Sequence, residues 1–221
     1  MMRVLGVDGC KGGWVGVVLE DDAEPIALVE RSIDRIADDA GLVDAIGIDM
    51  PIHLNEAADR LCDSAARRFI SPFTSRVFNA PVLAVLDCDT FLDACAASSA
   101  ALGKKISKQT WALVPKIREV EQWRTSAGCP VYEVHPEAGF AVMAGGVVPE
   151  GKRTSEGAKV RRALLDAQGL APPERPAAVG VDDLLDACAA AWSTRRLARG
   201  EGRCLPDPPV IVRGEPQAIW F

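Results

Sequence analysis

Two aspartates each close a short apolar run, Asp8 after Val4–Val7 and Asp49 after Ala45–Ile48. Both runs read as buried strands, so each carboxylate sits where a strand meets a loop. A charge there is costly unless something pairs with it, and two such carboxylates side by side raise each other's pKa unless a cation intervenes. A third acidic group, Asp182, Asp183 and Asp186, opens a late helical pattern in which Asp183 and Asp186 share a face. If the three places meet, they form an all-oxygen donor set suited to Mg2+ or Mn2+. Two such ions would clamp the attacking and leaving oxygens of a phosphodiester. Taken singly, Asp8 and Asp49 also read as turn residues, and Asp182 or Asp183 as a helix cap or dipole partner.

Tyr132 to Glu137 adds a second set of candidates. Strand alternation puts Glu133 and His135 on one face. His135 is a candidate general base or water-orienting group, and Glu133 a candidate addition to the metal shell; a hydrogen-bonded strand-end His is the plain alternative. His53 reads as a surface-loop residue. The basic residues cluster between them: Arg60, Arg67 and Arg68 on one helical stretch, Arg76 in a Ser/Pro loop, then Lys104, Lys105 and Lys108 ahead of Trp111, with Lys116 beyond. Arg76, Lys108 and Lys116 are the candidate substrate contacts, set against the alternative of solvated helix faces. The turn Gly9-Cys10-Lys11-Gly12-Gly13 could hold a nucleotide phosphate, but P-loop spacing is absent.

The elements that must position these groups follow from periodicity and turn signals. Residues 3–8, 14–20 and 26–30 read as a three-stranded antiparallel meander, 32–41 as a short helix, and the run ending at Asp49 as a fourth strand. Helices are expected over 56–69, 89–102 and 110–126, with Pro115 starting or kinking the last. Residues 130–135 return to strand, 139–151 read as irregular, 157–170 and 182–199 as helices, and 210–220 as a hairpin around Gly214. Strands alternating with helices imply an α/β fold with a mixed sheet. Parallel neighbours would bring Asp8 and Asp49 together at the carboxyl edge of the sheet, where ligands bind in open α/β folds.

Composition narrows the class. A chain of 221 residues, 48% hydrophobic and 25% charged, can bury a proper core. No apolar run is long enough to span a membrane, and no signal-peptide pattern precedes the first strand, so a cytoplasmic protein is expected. The seven cysteines have no metal-ligand spacing and there are two histidines, which argues against zinc. A net charge of −6 argues against a surface coated for non-specific DNA binding, while leaving room for a local basic groove.

Several stretches carry a resemblance: GVDGCKGGWVGV at 6–17, IGIDMPI at 46–52, RLCDSAARR at 60–68, SRVFNAP at 75–81, GKKISKQTWALVPKIREVE at 103–121, YEVHPEAGF at 132–140 and DDLLDACAAAW at 182–192. They resemble the uncharacterised family numbered 429 among domains of unknown function, described as predicted RNase H-like (RuvC-like) nucleases. The resemblance implies one RNase H-like domain over 1–221: a mixed five-stranded sheet, three strands antiparallel and then parallel ones, flanked by helices, with a helical insertion at 54–128. It also implies Asp8, Asp49, Asp183 and Asp186 as metal ligands for Mg2+ or Mn2+, with Asp182 competing with Asp183. That superfamily often carries Glu at the position of Asp49, and Asp is shorter. The expected activity is two-metal hydrolysis of nucleic acid, DNA or RNA, with no membrane partner and a homodimer as the candidate assembly. A nucleotide-binding phosphotransferase or small-molecule phosphohydrolase, and a non-catalytic interaction module, are the rival expectations.

Overall fold

Strand β1 (Arg3–Cys10) is buried along nearly its whole length, which fits its place in the middle of the sheet. In the computed structural model, which describes all residues from Met1 to Phe221, β1 turns at Lys11-Gly12 and pairs antiparallel with β2 (Gly13–Glu20). Gly12 takes φ +87°, a left-handed conformation that favours glycine. Strand β3 (Ile26–Glu30) pairs antiparallel with β2. Strand β4 (Ala45–Ile48) lies parallel to β1, and β5 (Val131–Glu133) parallel to β4. The order β3-β2-β1-β4-β5 is the mixed sheet that the resemblance implied.

Alternation along β1 feeds two cores. Leu5 and Val7 join Trp14, Ile36 of α1 (Ile33–Ala40) and the apolar stripe Val114, Ile117 and Val120 of α4 (Lys108–Trp123). Ala94 and Cys95 of α3 (Phe91–Leu102) belong to the same cluster, so the helices of 54–128 share one core with this face of the sheet. Each fully buried aliphatic side chain contributes roughly 1.5–3 kcal/mol. On the opposite face, Val4, Val15 and Val17 pack with α7 (Val181–Ala198), α5 (Pro136–Ala144) and α6 (Ser155–Ala167). A smaller cluster joins α2 (Leu61–Phe69) to the hairpin β6 (Cys204–Val212) and β7 (Glu215–Trp220) through Cys62, Ala66, Ile70 and Ile219.

The seat of α7 fixes the site. Gly6 of β1 and Gly47 of β4 are register partners and together form a notch in the sheet. A Cβ on Gly6 would lie 2.0 Å from the Ala191 amide nitrogen and 2.5 Å from the Ala187 carbonyl oxygen; one on Gly47 would lie 1.9 Å from Thr194 Oγ1. Only small residues on both sides permit so close an approach. The helix face that enters the notch carries Ala187, Ala190 and Ala191, and Asp186 precedes it directly.

Four local expectations are corrected. Residues 139–151 are not all irregular, because α5 runs from Pro136 to Ala144. Its residues are buried on every side, so no amphipathic period marks it. The helix expected from 56 begins at Leu61. Pro115 lies inside α4, which starts earlier, at Lys108, where the Ser107 hydroxyl caps it by accepting from the Thr110 amide at 3.0 Å. The final hairpin begins at Cys204 rather than 210. No helix is long and apolar enough to cross a membrane.

Candidate metal centre and cleft

Asp8 lies on β1 one residue past its last register partner in β4, Asp49 follows β4 directly, and Asp186 lies on α7. One carboxylate oxygen from each lies within 4.8 Å of the others. Asp8 and Asp186 are buried and Asp49 is partly exposed. Asp8 Oδ1 accepts from the Gly9 amide at 2.7 Å. Asp186 Oδ2 is ion-paired with the Lys152 ammonium, while its Oδ1 is buried with no hydrogen-bond partner. A buried carboxylate oxygen without a donor is costly.

Electrostatics match that geometry. Burial, then the Asp49 and Asp186 charges, push Asp8 well above the usual carboxylate range. Burial raises Asp49 to about 6 against the pull of Lys152. Asp186 also rises to about 6, through burial first, with Lys152 opposing and Asp49 adding. Burial lowers the Lys152 ammonium's affinity for its proton, but Asp186, Asp8 and Asp49 outweigh this and hold the proton more firmly. Three carboxylates at this spacing, all oxygen donors with one unsatisfied lone pair, fit a hard divalent cation of the Mg2+ or Mn2+ type.

These groups open into a cleft of about 520 Å³. Asp183 lines it, with its carboxylate against Gly180 at the start of α7 and its charge felt by Asp8. It stands outside the 4.8 Å triad. Asp182 lines the cleft farther out and faces Arg153 at 3.5 Å. His135, the residue before α5, also lines the cleft; its Nδ1 is buried without a partner, and burial lowers its pKa, which keeps the ring neutral near pH 7.

The family model described as protein of unknown function (DUF429) matches residues 6–211. The chain belongs to this family. No curated protein matches it. Among solved structures it is similar to the RuvC structure of Thermus thermophilus, at 15% identity and a TM-score of 0.36, covering 90% of this chain and 98% of that one.

The other candidates in this DUF429 chain divide. Arg76 and Lys116 line the cleft. Arg76 is committed to structure, donating to Glu137 Oε2 at 2.6 Å and to the Val148 and Pro149 carbonyls at 2.7 and 2.8 Å. Lys116 reaches the Gly13 carbonyl, with its ammonium 4.1 Å from the centre of the Trp14 ring. Lys108 is exposed at the first position of α4 and lines no wall of the cleft. Glu133 is corrected too. It is buried, ion-paired with Arg60 and accepting from the Ile52 amide at 2.9 Å, so it does not reach the triad. Alternation gave its side of the strand but not its depth. Arg60, read as part of a basic face, is 2% exposed. His53 is buried, at φ +56°, its amide donating to Glu121 and its carbonyl accepting from Gln217.

Two cleft residues escaped sequence reasoning. Lys152 lies on the loop after α5, in a stretch without periodicity. Glu137 is buried between Arg76 and Arg161, whose Nη2 donates to it at 2.5 Å. Burial opposes Glu137's charge, but Arg161 and then Arg76 hold its carboxyl below the usual range. The signal that could have found it is His135-Pro136-Glu137, a proline at the first position of a helix followed by an acid in the first turn.

Proposed function

We propose that this chain is a divalent-metal-dependent nuclease that hydrolyses phosphodiester bonds of nucleic acid. The observation that carries the reading is the Asp8, Asp49 and Asp186 triad, drawn from β1, β4 and α7, with the Asp186 Oδ1 left unsatisfied. Those three carboxylates would hold Mg2+ or Mn2+, with Asp183 at the cleft wall available to a second ion. When bound, such ions supply Lewis-acid stabilisation to the attacking and leaving oxygens. The protein's own residues do the positioning. The carboxylates share one geometry because α7 is locked in its notch. Neutral His135 can accept a proton from an incoming water at Nε2. Lys152 and Lys116 offset the negative charge that a phosphodiester brings into an acidic cleft.

Incubating the pure chain with Mg2+ or Mn2+ and a panel of branched DNA, RNA–DNA hybrid and single strands tests the reading. Metal-dependent cleavage lost in Asp8→Asn is the expected result; cleavage that survives Asp8→Asn refutes the assignment. Carboxylates too far apart to share an ion would favour the rival reading of a non-catalytic module, and the 4.8 Å spacing lends it no such support.

A further inference from the structure

A second cavity, of about 380 Å³, lies beside the carboxylate cleft and shares Ser75, Phe78 and Gln109 with it. Its floor is the loop 74–81, and its far wall is the connection from α3 to the start of α4. The charge in it is uneven. Lys104 is neutralised by Asp59, with Nζ 2.8 and 2.6 Å from the two carboxylate oxygens. Arg67 and Lys105 have no carboxylate partner. Arg67 is held in place by its Nε, which donates to the Val77 carbonyl at 3.1 Å, and its Nη2 is enclosed with nothing to donate to. The other terminal nitrogen, Nη1, has no partner and is not enclosed, so it is the donor an anionic oxygen in the cavity can meet. The remaining lining mixes amide and hydroxyl groups, such as Asn79 and Gln109, with apolar surface from Phe78, Leu102 and Ile106.

We infer that this cavity is a subsite for one unpaired nucleotide of the strand whose neighbouring phosphodiester lies at the carboxylates. Arg67 and Lys105 take its phosphate, and the base lies against the apolar wall beside Phe78. The inference rests on the proposed nuclease reading and sharpens it: the substrate is single-stranded, or carries an unpaired nucleotide next to the cut. The volume falls in the range of small-ligand sites, and the pairing of cationic donors with an aromatic surface is that of single-strand binding. A base within an intact duplex is stacked and cannot enter such a recess without being unpaired.

The test uses the full chain carrying Asp8→Asn and a fluorescein-labelled single-stranded oligothymidylate, read by fluorescence anisotropy. Arg67→Gln and Lys105→Glu should each weaken binding about tenfold or more, the loss expected for a contact to a charged group. Each should also flatten the dependence of log affinity on log salt by about 0.7, one phosphate's worth on a single strand. A blunt duplex should bind more weakly than the single strand, and thymidine monophosphate should compete at lower concentration than inorganic phosphate. Lys105 is exposed and free of ion pairs, so Lys105→Glu keeps the test sound if Arg67→Gln does not fold. Parental affinity in a folded Lys105→Glu variant, equal competition by inorganic phosphate, or no binding of the single strand overturns the subsite. Binding lost in the variants while the wild-type chain cuts no nucleic acid upholds the subsite and sinks the nuclease reading alone.

Discussion

Replacing Gly6 with alanine should damage the proposed metal centre although Gly6 offers it no ligand. The added methyl would lie 2.0 Å from the Ala191 amide nitrogen and 2.5 Å from the Ala187 carbonyl oxygen. Both are backbone atoms of a helix and cannot rotate away. Restoring ordinary contact requires α7 and β1 to part by about 1.5 Å, since carbon atoms settle ~3.5–4.0 Å from their neighbours. Overpacking of this kind costs about 1–3 kcal/mol. For a domain of this size each kcal/mol is about 2–4 °C in Tm, so the melting point should fall by about 2–12 °C. Asp186 moves with α7, away from Asp8 and Asp49. Mg2+ holds its oxygens at ~2.0–2.1 Å with little tolerance, so affinity should fall about tenfold or more. Calorimetric titration with Mn2+ and Mg2+, beside a thermal melt, reads both effects. Gly146→Ala is the control, because a Cβ there meets nothing within 4 Å. A folded Gly6→Ala protein that binds Mn2+ as tightly as wild type would show that α7's seat does not set the geometry.

Four further outcomes follow from the charges. Without divalent cation, stability should fall as pH rises from about 4 through about 7. Asp49 and Asp186 sit near 6 and Glu133 near 7 when folded, and Asp8 is raised as well, so the folded state holds extra protons and loses stability as they leave; saturating Mg2+ in parallel melts should remove the aspartates' part of the slope and leave that of Glu133. Asp186→Asn should raise the metal-free stability at pH 8 by on the order of 1–3 kcal/mol while removing Mn2+ binding, measured by denaturant melts and titration. Lys152→Met should do the reverse to stability, lowering it by roughly 1–3 kcal/mol at pH 8, below the usual cost of breaking a buried pair because the lysine is partly exposed. Glu133→Gln should weaken folding through Arg60 yet leave Mn2+ affinity unchanged, which a titration of the folded variant checks.

The parts of the site legible in the sequence are those whose position follows from the end of an apolar run, although β1 itself continues past Asp8 to Cys10. Asp8 and Asp49 close apolar runs, and parallel pairing of β1 with β4 is enough to bring them together. Asp186 was legible from the alanines after it, because small residues on a helix announce close packing. The glycines on the other side of that contact, Gly6 and Gly47, looked like ordinary strand residues, and only the helix crossing them explains them. Glu133 and Arg60 were misjudged for one reason: pattern separates faces, but it does not say whether a face is solvent or a closed ion pair. Lys152 was out of reach because loop residues carry no period. Helix α5 was missed because burial on all sides erases amphipathicity.

The Gly6–Gly47 notch also bears on when the site comes into being. Asp8 and Asp49 belong to the first strands of the chain, but the carboxylate that completes the triad arrives on the last helix. During synthesis the early strands can pair with an incomplete donor set, and the third oxygen docks only when α7 drops into its groove. Tight binding of a divalent ion would thus report a finished fold, and in a nascent or truncated chain lacking α7 the proposed centre would be without its third carboxylate.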